Sequence, residues 1–83
     1  MELSAELSLY PLVNESYKAV IKEFIEKLQA DPRIEVHSNT MSTQVFGSFE
    51  NVMAVLTQEL EILYRAVPQQ VLVCKFINTD LRP

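Results

Sequence analysis

The sequence predicts an α+β sandwich in which a four-stranded antiparallel sheet carries two helices on one face. Three observations lead there. Two segments repeat their apolar residues at helical three-and-four spacing, and four runs read as strands. These segments follow one another in the order β-α-β-β-α-β. The chain has 83 residues, with no linker, low-complexity run or obvious internal repeat, which predicts one domain over residues 1–83.

The first strand is an alternation: Leu3, Ala5, Leu7 and Leu9 interleave with Glu2, Ser4, Glu6, Ser8 and Tyr10, and Pro11 stops it. Asn14 is the expected N-cap of a helix over residues 15–30, where Tyr17, Val20, Ile21, Phe24, Ile25 and Leu28 share one stripe. Asp31-Pro32 breaks it. Residues 34–37 make a short strand with Ile34 and Val36 on one face, and Ser38-Asn39-Thr40 is turn-like. The third strand covers 43–46 and is expected to end at Gly47, the only glycine of the chain. A second helix over 50–65 follows from Val52, Met53, Leu56, Leu60, Leu63 and Tyr64, and Pro68 closes the connection. The fourth strand, 71–77, is apolar on both parities, so both of its faces should be covered. Residues 78–83 read as a polar tail.

Right-handed crossovers put both helices on the same side of the sheet and place the first and third strands at its centre. The other sheet face is then bare. If Leu3, Ala5, Leu7 and Leu9 face the helices, Glu6, Ser8 and Tyr10 lie on the bare face. Either Thr43 and Val45 or Ser42, Gln44 and Phe46 join them, and the sequence leaves this parity open. An apolar patch on that face predicts self-association.

Composition excludes several classes of function. Net charge is −4, with no basic patch to engage phosphates, so nucleic acid is not an expected partner. No apolar run approaches the length of a membrane span and no signal peptide is evident, which predicts a soluble, cytoplasmic protein. Cys74 is the only cysteine and lies in an apolar strand, so it is read as buried and inert. His37, the only histidine, has no nucleophile or second ligand near it in sequence and is read as a surface or interface residue. With one Cys and one His there is no metal set and no nucleophile–base pair, so neither a metal, a cofactor nor catalysis is expected. A single glycine cannot build a phosphate-cradling loop.

Ser8, Tyr10, Ser42 and Thr43 remain, with Glu6 adding a carboxylate. Hydroxyls near the ends of two central strands either satisfy local hydrogen bonds or line a small polar pocket among apolar walls.

Ala5-Glu6-Leu7-Ser8-Leu9-Tyr10-Pro11-Leu12 followed by a helix, and then Met41-Ser42-Thr43-Gln44-Val45-Phe46-Gly47 leading into the second helix, resemble the YkoF-like thiamine-binding family and its small MTH1187/YqgV-type members. In this chain their Thr-x-Val-x-Gly pattern reads Thr43-Gln44-Val45-Phe46-Gly47. The resemblance implies a ferredoxin-like fold, homodimers or homotetramers assembled through sheets, and non-catalytic binding of thiamine or its hydroxymethylpyrimidine part in vitamin uptake or handling. The alternative is a homo-oligomeric assembly module without a small ligand. YkoF itself carries two such repeats, so here a homodimer would supply the pair. Carried onto the matching motifs, the ligand-binding residues are Ser8, Tyr10, Ser42 and Thr43. Glu6 beside them could accept from an amine or offset a thiazolium cation.

Overall fold

The computed structural model describes residues 1–12, 17–67 and 69–83. Six elements follow in the expected order: β1 (Glu2–Pro11), α1 (Lys18–Ala30), β2 (Glu35–Ser38), β3 (Thr43–Ser48), α2 (Phe49–Ala66) and β4 (Gln70–Ile77). The sheet order is β2-β3-β1-β4 and every neighbouring pair is antiparallel, so β1 and β3 are central. This is the ferredoxin-like α+β arrangement read from the periodicity.

The alternation in β1 decides where the core sits. Leu3, Ala5 and Leu7 are buried together with Val45 of β3, Phe24 and Leu28 of α1, and Val52, Val55, Leu56 and Leu63 of α2. Both helices therefore lie on one sheet face, each burying the stripe that its three-and-four spacing lays out. Leu9, Ile21, Ile25, Val36, Leu72 and Cys74 close the margins of this core.

The end of the third strand differs from the sequence reading. Gly47 does not end the third strand; the strand runs on to Ser48, and Gly47 has no positive φ. A Cβ there would meet the Arg33 carbonyl, Ile34 and Val52 at 3.4 Å, which is ordinary contact. The stop is Ser48 itself, whose Oγ accepts the Asn51 N–H at 3.2 Å and caps α2. Pro11 pairs with Gln70 and is the last residue of β1, so the strand stops there as expected. The expected cap at Asn14 and the closure at Pro68 lie outside the described residues.

β4 departs more. Leu72 and Cys74 turn toward the helices, but Val71, Val73 and Ile77 on the other face are each exposed by 44–45%. That face is open because the helical layer reaches one side of the sheet. Phe76, opposite Ala5, has the helix-side parity and is still 50% exposed.

Leu28 is completely buried in the core. Replacing it with alanine should lower the unfolding free energy by about 2–5 kcal/mol, read as a shifted midpoint in urea denaturation.

Candidate functional site

The β1–β3 register places Glu6 opposite Gln44 and Leu7 opposite Thr43. Opposed residues of an antiparallel pair share a face. The bare face therefore carries Glu6, Ser8 and Tyr10 with Ser42, Gln44 and Phe46, while Thr43 and Val45 turn to the helices. The parity left open by the sequence is resolved by this pairing.

A polar chain runs across the bare face. Gln44 Nε2 donates to Ser42 Oγ at 2.8 Å, and Ser42 Oγ donates to Glu6 Oε2 at 3.2 Å. Lys75 Nζ of β4 stands 3.6 Å from Glu6 Oε1. The loop before β3 is held by Asn39, whose Oδ1 accepts the N–H groups of Met41 at 2.8 Å and Ser42 at 3.0 Å. This Asx turn aims Ser42 at the end of the sheet.

At that end a crevice of about 150 Å³ opens between the sheet, the loop and α1. Ser8, Ser42 and Thr43 line it, against Leu7, Ile21, Phe24, Ile25 and Met41. Thr43 is 6% exposed, and its Oγ1 shares a hydrogen bond with Ser38 Oγ at 2.9 Å. Three of the five residues singled out from sequence thus border one crevice, although strand parity turns the Ser8 and Ser42 side chains toward the bare face. Glu6 reaches it through Ser42 from the bare face. Tyr10 stands apart: it lies opposite Val71 and is 54% exposed.

The sequence reading missed the C-terminal segment. Residues 78–83 are not a free polar tail; they fold back over the bare face. Ser4, only 5% exposed, donates its Oγ proton to the Thr79 carbonyl at 2.7 Å and accepts the Leu81 N–H at 2.9 Å. Arg82 contacts Asp80 at 2.9 Å, Glu35 at 3.3 Å and Glu2 at 3.8 Å. Leu81 and Pro83 form one wall of a hollow of about 380 Å³ with Phe46, Phe76, Glu6 and Lys75. No periodicity marks such a segment, and its contacts with Ser4 span more than seventy residues of sequence. The one hint was a serine in the middle of β1 with nothing local to bond.

Electrostatics follow these contacts. The hydrogen bond from His37, 2.6 Å away, and then Arg82 hold the Glu35 carboxyl below its usual range. The Arg82 backbone N–H and guanidinium do the same for Asp80. His37 also meets Phe46 edge-on at 5.6 Å, so it serves the bare face rather than the crevice. Burial raises the Cys74 thiol, which disfavours a reactive thiolate. Among the described residues no group of three or more His, Cys, Asp or Glu side chains could hold a metal ion, and no helix is long and apolar enough to cross a membrane.

The model of the YKOF-related family matches residues 2–78. Similar solved structures include a Streptococcus pneumoniae protein at 17% identity, covering 98% of this chain and 90% of that one, with a TM-score of 0.81. A Thermotoga maritima protein, described as a candidate thiamine biosynthesis/salvage protein, is 20% identical over 95% of this chain and 85% of that one, with a TM-score of 0.80. A hypothetical protein of Methanocaldococcus jannascii is 19% identical over 99% and 84%, with a TM-score of 0.75. At these identities the structural likeness establishes the fold. No curated protein matches this chain.

Arg82→Ala should release the C-terminal segment and speed amide exchange at Leu81, measured by NMR. Acidification should likewise lower the protection of the Leu81 amide relative to its intrinsic exchange rate at each pH. Because the Glu35 and Asp80 carboxyls are lowered in the folded state, their contribution is complete above the ordinary carboxylate pKa of about 4 and fades as pH falls through the lowered values.

Proposed function

Since the chain belongs to the YKOF-related family, we propose that it binds thiamine or the hydroxymethylpyrimidine part of thiamine, without catalysis, as a single-domain protein of vitamin uptake or handling. The observation that carries this reading is that Ser8, Ser42 and Thr43 all border one crevice with apolar walls. The thiamine assignment of the Thermotoga neighbour supports it.

The chemistry of the donor set fits an aminopyrimidine. Such a ring offers an amine donor and ring-nitrogen acceptors, and hydroxyls answer both kinds of group. Glu6, hydrogen-bonded to Ser42, adds a carboxylate that accepts from the amine or offsets a nearby cation. Phe24 and Met41 offer apolar and polarisable surface for the ring. The crevice holds about 150 Å³, well below the roughly 300–1,000 Å³ of drug-sized sites. It suits a single ring, so the pyrimidine half is the part it would enclose.

The same reading takes the protein as a homo-oligomer assembled through the bare face. Tyr10, Val71, Val73 and Ile77 share that face and are each exposed by 44–54%. Their burial against a second copy would give β4 the two covered faces that its composition calls for.

Calorimetric titration with thiamine and hydroxymethylpyrimidine tests the ligand. Thr43→Val and Ser8→Ala should each weaken pyrimidine binding about threefold to tenfold, the effect of losing a hydrogen bond worth about 0.5–1.5 kcal/mol. Parent-like binding by both variants, or no binding by the parent at millimolar concentration, leaves the assembly-module reading in its place. Val73→Asp should convert the oligomer to monomer in sedimentation velocity, because an unpaired charge would be buried in the interface. A parent that sediments as a monomer at micromolar concentration refutes the assembly.

A further inference from the structure

We infer that a second small-molecule site lies between the end of α2 and the start of β4, anchored by the side-chain amide of Gln70, and that it takes a neutral planar ligand presenting a hydrogen-bond donor beside an acceptor. A crevice of about 430 Å³ opens there, lined by Leu12, Tyr64, Val67, Gln69 and Gln70. Its volume falls in the range of roughly 300–1,000 Å³ usual for small-ligand sites. Among the described residues it shares none with the hydroxyl crevice, and the inference does not rest on the function proposed there.

Gln70 is the reason to read this crevice as a site. Both its amide nitrogen and its amide oxygen are shielded from solvent, and neither has a hydrogen-bond partner among the described residues. Shielded polar groups in folded proteins are nearly always paired, because leaving one unpaired forfeits its bonds to water. Here a donor and an acceptor are unanswered on one side chain. Among the described residues the amide makes no bond where it rests, so turning it about its own torsions toward the crevice it lines sacrifices none of these.

A primary amide holds its N–H and C=O in one plane and pairs best with an edge of the opposite pattern. That is the geometry by which Asn and Gln side chains read the amino group and ring nitrogen of adenine. A lactam or an amino group beside a ring nitrogen presents such an edge. The rest of the crevice agrees. Val67, 1% exposed, forms an apolar floor, and Tyr64, 46% exposed, offers a ring face for stacking. Among the described residues none of the five that line the crevice is charged at neutral pH, which suits a neutral ligand.

The test is NMR titration of the full chain at neutral pH, following the Gln70 side-chain amide and the Tyr64 ring. The probes are 4-aminopyrimidine, 2-pyrrolidone and unsubstituted pyrimidine. Signals should move with 4-aminopyrimidine and not with pyrimidine, which lacks the donor; movement with 2-pyrrolidone as well extends the class to lactams. Gln70→Leu should melt no lower than the parent, since it removes an unpaired amide, and should bind 4-aminopyrimidine about tenfold more weakly or worse. In Thr43→Val the Gln70 response should persist. Unmoved Gln70 signals at millimolar probe, parent-like binding by Gln70→Leu, a clearly lowered melting temperature of that variant, or loss of the response in Thr43→Val would each overturn the inference.

Discussion

The pairing of β1 with β3 is the constraint on which the rest depends. Leu3 opposite Gly47, Ala5 opposite Val45 and Leu7 opposite Thr43 put one alternating set of side chains under the helices. A slip of one residue in that register would turn one strand over relative to the other, setting Gln44 beside Leu7 or Glu6 beside Val45 on the core face. Burial of Leu3, Ala5, Leu7 and Val45 against Leu28, Val52 and Val55 therefore specifies the register, and the register then specifies which polar groups meet. The Ser42–Glu6 hydrogen bond is a consequence of hydrophobic packing on the other side of the sheet.

The two faces of the sheet have different physics. The helical side is closed by apolar contact and holds Thr43 at its edge, where the hydroxyl is satisfied by Ser38. The other side is half closed. At one end the segment after β4 lies across the strands, tied by Ser4 and Arg82, and Phe46 is 5% exposed beneath the hollow it helps to form. At the other end Tyr10, Val71 and Val73 stay open. The C-terminal segment therefore covers one end of this face and leaves the other end exposed.

Crevices arise where the layers fail to match in length. β1 extends to Pro11, while its pairing with β3 ends at Thr43, so the last residues of β1 pair with β4 alone. The hydroxyl crevice fills the corner left beside α1. α2 ends at Ala66, and the crevice at Gln70 occupies the corner between that end and the new strand. Both corners combine apolar walls with a few polar groups, the makings of a small-ligand site.

The sequence by itself determined the element order, the core stripe of each helix and the inward set of β1, because these depend on local periodicity that any packed arrangement must honour. It also brought Ser8, Ser42 and Thr43 to notice. Their neighbouring strands follow from the β-α-β-β-α-β order, whose handedness leaves little freedom. Tertiary structure alone decided the parity of β3, since Ser42, Gln44 and Phe46 alternate with Thr43 and Val45 in a run where both sets could face the core. It alone moved the end of the third strand from Gly47 to Ser48, because a cap is defined by which N–H its oxygen reaches. It alone separated Tyr10 from the other hydroxyls and folded residues 78–83 onto Ser4. Each of these outcomes rests on contacts between residues far apart in the chain, and no local pattern encodes which distant surface will be left uncovered for them.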